Sequence, residues 1–399
     1  MHSLANTAQL VADGVITPEQ ERVIKARARD IMVALAVNTV LCGGIVAATF
    51  GTIFWLADAA LVAVFGTLLL AGGLALLAKG AATYRMFGNA AALIGAGMLI
   101  GGAGLELVDK YPDVAGWIML AGGAVVVVIA GRALMWGGLT ARFVAGSILL
   151  MGLALHIGGL GFLLDEAGVT GAVMPVFYLY VTLALLGAGW LTDVRFVTAL
   201  AIAPFAQMLD TGTAYFHAAY VFYSPEPTLS IVQMALLIGL TLWLAPRVQE
   251  RTARHLRTLT IFGFIVANLC ALVGSLFGDL VGRTLWGADY PQWTDTMTAE
   301  QYEALRAAHE AQAFAISANV YSVVWAIVLA GMVFWSAHRG NRALFNASVT
   351  FAGIHAYTQI FESFYDEPLA YVIGGFAAIP LAWGMWRLNQ WLGARAVGQ

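Results

Sequence analysis

The chain has 399 residues, of which 60% are hydrophobic and only 11% charged, and its mean hydropathy is +0.80. Soluble domains carry roughly 25% charged residues, so a water-soluble globular fold is excluded; the same apolar richness excludes intrinsic disorder. The formal net charge of -3 says little by itself, because the two signs are segregated along the chain. What remains is an all-α integral membrane protein with many spans.

Residues 1–30 are polar and helix-prone, and read as two short helices over 5–13 and 18–29, broken at Gly14. Thr17-Pro18-Glu19-Gln20 supplies an N-cap hydroxyl, a proline at the first helical position and a glutamine three residues after the cap. That is a capping box. The segment lacks the short apolar core and cleavage site of a secretory leader, so it is expected in the cytoplasm, ahead of a bundle over 31–399.

About 20 apolar residues carry a helix across the hydrocarbon core. Runs of that kind lie near 32–56, 59–79, 86–106, 115–137, 143–164, 171–192, 196–216, 228–246, 258–280, 311–335, 343–364 and 369–388, which predicts twelve spans. The seventh is interrupted by Pro204, Gln207 and Asp210, the mark of a broken helix or of two half-spans. Between the ninth and tenth, residues 283–310 carry Trp286, Tyr290, Trp293 and Tyr302. There Thr298-Ala299-Glu300-Gln301 repeats the capping logic, and a helix beginning at that point is expected to run into the tenth span. The segment suits a helix lying at the membrane interface.

Basic residues favour cytoplasmic loops, which tests the count. Alternate connections hold Arg22 to Arg29, Lys79, Arg85, Arg132, Arg142, Arg195, Arg247 to Arg257, Arg339, Arg342, Arg387 and Arg395, 17 of the 20 basic residues. The exceptions are Lys110, Arg283 and Arg306. Both termini are therefore expected inside. Tryptophans cluster at span ends, where the indole prefers the headgroup level, with Trp325 alone in mid-span. The run Arg247, Arg251, Arg254 and Arg257 suits contact with anionic lipid rather than nucleic acid.

Glycine is abundant in the third and fifth runs, and Gly97 with Gly101 forms a GxxxG pair that permits close helix approach. No glycine motif for nucleotide phosphates occurs in a strand-turn-helix setting. Cys42 and Cys270 fall inside apolar runs and make no metal or disulfide pattern. His309-Glu310 opens like a zinc-peptidase motif, but position 313 is alanine. No serine–histidine–aspartate grouping stands out, and a haem held by His156 and His355 has only their similar depth in its favour. Neither cofactor nor metal is expected.

An ionisable side chain inside a span costs at least ~2.5–3.5 kcal/mol on insertion scales and should face the bundle interior. Asp210 lies fifteen residues beyond Arg195, about 22 Å deep at helical rise. His156 and His355 reach a similar depth, and Asp279 and Glu362 lie farther out. His355, Gln359 and Glu362 follow i, i+4, i+7 and share a helix face; Asp210 and His217 would share one if their helix continued. These seven residues are the candidates for a polar path in the outer half of the bundle.

Residues 10–28, LVADGVITPEQERVIKARA, resemble the opening of the DUF2157 family of bacterial membrane proteins, and YTQIFESF at 357–364 resembles its closing spans. The resemblance implies a bacterial inner-membrane protein and carries no activity; Glu362 matches the acidic position of the closing motif. The leading expectation is transport of a small solute or cation. The alternative is a non-catalytic scaffold or sensor that binds partner proteins through its N-terminal helices and the 283–310 segment.

Overall fold

The computed structural model describes residues 7–29, 58–79, 85–136, 139–216, 219–284, 297–312 and 314–363, with isolated positions besides. It divides into two compact units, Met1–Gly171 and Ala172–Gln399. Among the described residues, eight helices are long and apolar enough to cross a membrane. Their outer faces agree: Leu68 is 63% exposed, Ile129 62% and Leu236 70%. Contiguous apolar faces of that kind belong against lipid, not water. The chain is a helical, multi-pass membrane protein.

In the first unit, α1 (Thr7–Ala12) and α2 (18–29) are separated by Gly14 at φ +70°. The capping box forms as predicted. Thr17 N donates to Gln20 Oε1 at 2.9 Å, and Gln20 N donates to Thr17 Oγ1 at 3.2 Å. Thr7 Oγ1 donates to Glu21 Oε1 at 3.2 Å and ties the two helices together. Lys25, 2.7 Å from Glu21, holds that carboxyl below its ordinary value.

Four long helices follow: α3 (Ala59–Lys79), α4 (Arg85–Lys110), α5 (Pro112–Trp136) and α6 (Leu139–Glu166). They pack as two antiparallel hairpins, α3 on α4 and α5 on α6. Both seams are built from small residues seven apart, the spacing that keeps one face toward a neighbouring helix. In the first hairpin the row is Ala59, Gly66 and Gly73 against Gly88, Gly95 and Gly102; in the second it is Gly116, Gly123 and Ala130 against Ala145, Gly152 and Gly159. Every member of the second set stands 57 residues after its counterpart in the first. The same shift superposes Leu77 on Leu134, Thr83 on Thr140, Arg85 on Arg142 and Ile100-Gly101-Gly102 on Ile157-Gly158-Gly159. The unit is a tandem repeat of one helical hairpin. Leu93 of α4 and Val144 of α6 share a buried cluster that joins the two copies.

The second unit contains α7 (Val173–Thr192), α8 (Arg195–Leu200), α9 (Ile202–Gln207), strands β1 (Gly212–Phe216) and β2 (Ala219–Tyr223), then α10 (Pro227–Leu244) and α11 (Glu250–Phe277). It continues with β3 (Asp279–Val281), α12 (Ala299–Gln312), β4 (Phe314–Ile316), α13 (Ala318–His338) and α14 (Arg342–Ser363). Helix α11 is central and packs against α8, α10, α13 and α14. Ala271, Trp325, Leu329 and Phe351 form its core with α13 and α14.

The eight long apolar helices fall on eight of the twelve predicted runs, and α3 matches 59–79 to the residue. The runs at 32–56 and 369–388 lie outside the described residues apart from isolated positions. The run at 343–364 forms α14, which is too polar to count among the eight.

The seventh run is corrected. It is two six-residue helices that stop at Gln207, followed by a β-hairpin in which Gly212 pairs with Tyr223 and Phe216 with Ala219. Pro204 has no N–H to offer the carbonyl of Leu200, four residues back, and the ladder breaks beside Ala201. The tenth is corrected too. The second capping box forms, with Thr298 N on Gln301 Oε1 at 3.0 Å, but its helix ends at Gln312. Residues 314–316 pair antiparallel with 279–281, and α13 starts only after them.

The glycine seams give a test with an internal control. A Cβ on Gly159 would lie 2.5 Å from the backbone nitrogen of Leu120, whereas one on Gly122 meets nothing within 4 Å. Gly159→Ala should therefore cost about 1–3 kcal/mol of stability and lower the thermal unfolding temperature in detergent. Gly122→Ala should leave it unchanged.

Candidate functional site

The interrupted seventh run sets the chemistry of the second unit. With α9 ending at Gln207, its last carbonyls need partners, since unpaired backbone groups are costly away from water. Ala206 O accepts from Leu209 N at 3.2 Å and Thr211 N at 3.3 Å, and Gln233 Nε2 of α10 donates to Phe205 O at 2.6 Å. Asp210 turns the chain with φ +60°, a left-handed conformation that aspartate tolerates better than most residues. The i, i+7 relation of Asp210 to His217 consequently fails, because no helix joins them; His217 itself lies outside the described residues. Asp210 Oδ1 accepts from Tyr223 OH at 3.1 Å and from Gln207 Nε2 at 3.2 Å. The hydrogen bond from Gln207 pulls the Tyr223 phenol downward. Burial and the Asp210 carboxylate outweigh it and hold the phenol above its ordinary value.

One residue farther on begins a buried polar layer. Thr211, Ser224 and Ser230 form a triangle of hydroxyls, with Oγ–Oγ distances of 3.2 Å (Thr211–Ser224), 2.5 Å (Thr211–Ser230) and 3.0 Å (Ser224–Ser230). The thiol of Cys270 on α11 is within hydrogen-bonding reach of Ser224 and Ser230. Two residues before Ser230, Thr228 meets Asp279.

The ninth predicted run, 258–280, would place Asp279 at a helix end. Asp279 instead opens β3, because α11 ends at Phe277 and Gly278 turns the chain at φ +71°. A Cβ on Gly278 would also lie 2.7 Å from Ile316 O. The Asp279 side chain caps α10: Oδ2 accepts from Thr228 N at 2.9 Å, from Thr228 Oγ1, and from Tyr321 OH at 3.1 Å. A carboxylate at a helix N-terminus is favoured by the helix dipole. Yet Asp279 is only 7% exposed, and its other oxygen, Oδ1, is buried without a partner among the described residues. Glu226, 2% exposed, is fully engaged by Gly282 N at 2.6 Å and Thr284 N at 2.9 Å. Neither acid forms an ion pair among the described residues.

One turn along α13 from Tyr321 stands Trp325, the tryptophan in mid-span. Its Nε1 donates to Asn268 Oδ1 at 2.8 Å, which explains an indole so deep in the bundle. The ring of His355 lies against it, with centroids 4.6 Å apart. His355 is 8% exposed, and its Nδ1 is buried without a partner among the described residues. Because α14 is continuous to Ser363, His355, Gln359 and Glu362 do share a face; Gln359 is half-buried, and the Glu362 side chain lies outside the described residues. Of the sequence candidates, Asp279 and His355 are thus brought onto one face of α13. Asp210 is exposed and bonds Gln207 and Tyr223 instead; only its neighbour Thr211 enters the hydroxyl triangle. His156 belongs to the first unit, where its ring N–H at Nδ1 donates to Leu120 O at 2.8 Å and ties α6 to α5.

Sequence reasoning missed a threonine–histidine–aspartate chain at the other end of α11. Thr198 Oγ1 lies 2.6 Å from His255 Nδ1, and His255 Nε2 lies 3.1 Å from Asp193 Oδ1. Its order suggests a nucleophile, but Thr198 is 1% exposed and no substrate reaches its hydroxyl. The cluster is a tie. Asp193 turns from α7 into α8 at φ +57° and also accepts from Arg254 at 3.2 Å. Arg251 donates to Trp190 O and Leu191 O and stacks over the Trp190 ring, so cations sit on the C-terminus of α7, where its dipole favours them. The partners are some 60 residues apart, and no local pattern announces them.

Among the described residues there is no group of three His, Cys, Asp or Glu side chains able to hold a metal. No family model, curated protein or solved structure matches the chain.

Two measurements check this geometry. Asp210→Asn removes the charge that opposes Tyr223 ionisation, so the phenol should titrate at lower pH. Alkaline absorbance titration, each protein compared with its own Tyr223→Phe counterpart, should show that downward displacement. His255→Phe strands the buried Thr198 hydroxyl and should lower stability by about 1–3 kcal/mol, read from thermal unfolding.

Proposed function

We propose that this protein transports a small solute or cation, along a path formed by the polar layer of its second unit. In this reading it spans a bacterial inner membrane about twelve times, the seventh crossing being made by the broken segment rather than by one helix. Both termini lie in the cytoplasm, as the distribution of basic residues suggests, and the protein is akin to the DUF2157 proteins. The layer then lies in the outer half of the bilayer. The observation that carries the reading is the interrupted seventh span, whose broken end presents Asp210 beside buried polar groups. Transporters commonly place their sites where a spanning helix is discontinuous, and many are built from internal repeats. The duplicated hairpin of the first unit is such a repeat.

Reconstitution into proteoliposomes tests it, with a trapped pH-sensitive dye for protons and radiotracers for sodium and potassium. Replacing Asp210 by alanine should reduce flux by about tenfold or more, because a charged hydrogen bond of ~1.5–3 kcal/mol is worth that factor. Size-exclusion behaviour should be unchanged. Flux equal to wild type in Asp210→Ala would remove the basis of the proposal, and a requirement for residues 1–29 instead would favour a scaffold.

A further inference from the structure

Building on that transport reading, we infer that the ion carried is the proton, and that Asp279 Oδ1 and His355 Nδ1 are the atoms that take it up. Both are protonatable, both belong to side chains more than nine-tenths buried, and neither atom has a partner among the described residues. They flank successive turns of one helix face, since Tyr321 touches Asp279 and Trp325 touches His355. Four residues of helix separate Tyr321 from Trp325, about 6 Å along the axis, and the proposed relay has water between the two atoms.

The surroundings favour a proton over a metal cation. Divalent ions need about six oxygen ligands or more, whereas here one oxygen stands open while Oδ2 is saturated by three donors. The groups facing Asp279 are Tyr321 from α13 and, beyond Thr228, Glu226 at the start of α10, whose oxygens are both engaged. Cys270 faces the same layer from α11. Around His355 are the neutral Trp325 ring and the backbone of Ser322. Arg283, four residues past Asp279, is exposed, and the groups named above carry no positive charge.

The step balances simply. Hydronium gives a proton to Oδ1, forming an O–H bond and neutralising the carboxylate, and water leaves. That O–H bond then breaks, its electron pair returning to Asp279, while bridging water relays the proton to the Nδ1 lone pair. The resulting imidazolium releases it to water on the far side.

A pH jump across proteoliposomes containing the full-length protein tests the assignment, with the trapped dye reporting proton flux and radiotracers reporting sodium and potassium. Asp279→Asn and His355→Gln should each cut proton flux by about tenfold or more, at the scale of ~1.4 kcal/mol per decade. Asp279→Glu should retain much of it. Asparagine caps a helix about as well as aspartate, so a purely structural Asp279 predicts wild-type flux in Asp279→Asn; that result overturns the inference. If Asp279→Asn fails to fold, judged by size exclusion and thermal unfolding, His355→Gln decides alone. Sodium or potassium flux without proton flux overturns the proton assignment and leaves transport standing. Absence of all three fluxes in the wild type overturns the proton assignment as well and removes cation transport with it.

Discussion

A helix can cross a hydrocarbon layer because it satisfies its own N–H and C=O groups, and any interruption must find those partners elsewhere. That constraint organises the second unit. Pro204 withholds one donor, α9 stops at Gln207, and the freed carbonyls recruit a side chain from α10 and turn residues from their own segment. The hairpin that follows pairs its strands with each other and needs no helix. Polar side chains are admitted at this point because backbone polarity is already there to be met, and Thr211, Ser224, Ser230 and Asp279 follow from it.

The two units are solved by different physics. In the first, backbones approach through rows of small residues, and the gain is dispersion contact between closely fitted helices. In the second, helices are held by side-chain hydrogen bonds: Trp325 to Asn268, Thr241 to Thr260 at 2.8 Å, and the Asp193 cluster. One scheme is dry and repetitive; the other is polar and irregular. The orphaned oxygen of Asp279 and nitrogen of His355 occur in the second, together with those of Gln233, Arg251 and Ser348 among the described residues.

Much of the fold was legible because span length and apolarity report directly on the solvent. The seventh run failed for a definite reason. Hydropathy cannot register a missing N–H, and 212–223 is rich in tyrosine, phenylalanine and valine, which serve a membrane helix and a strand equally. Asp279 and His355 were legible because a charge-capable group in an apolar run is expensive. Their supports were not. Thr228, Tyr321 and Asn268 carry neutral groups common in helices, and the sequence does not say where they point. The seven-residue glycine rows were present to be read, but they are hidden among 44 glycines until contact distances separate those that touch a neighbour from those that face lipid.

The duplicated hairpin has a consequence for how such a chain could have grown. A pair of antiparallel helices returns to the face it left, so copying it in tandem adds bulk without turning over anything downstream; copying a single helix would invert every later segment. Once two copies exist, one can keep the original packing while the other drifts. His156 occupies the position where the earlier copy has Leu99, and its imidazole binds a carbonyl across the seam. The later copy has exchanged an oily contact for a polar one, a first departure from symmetry on an otherwise shared plan.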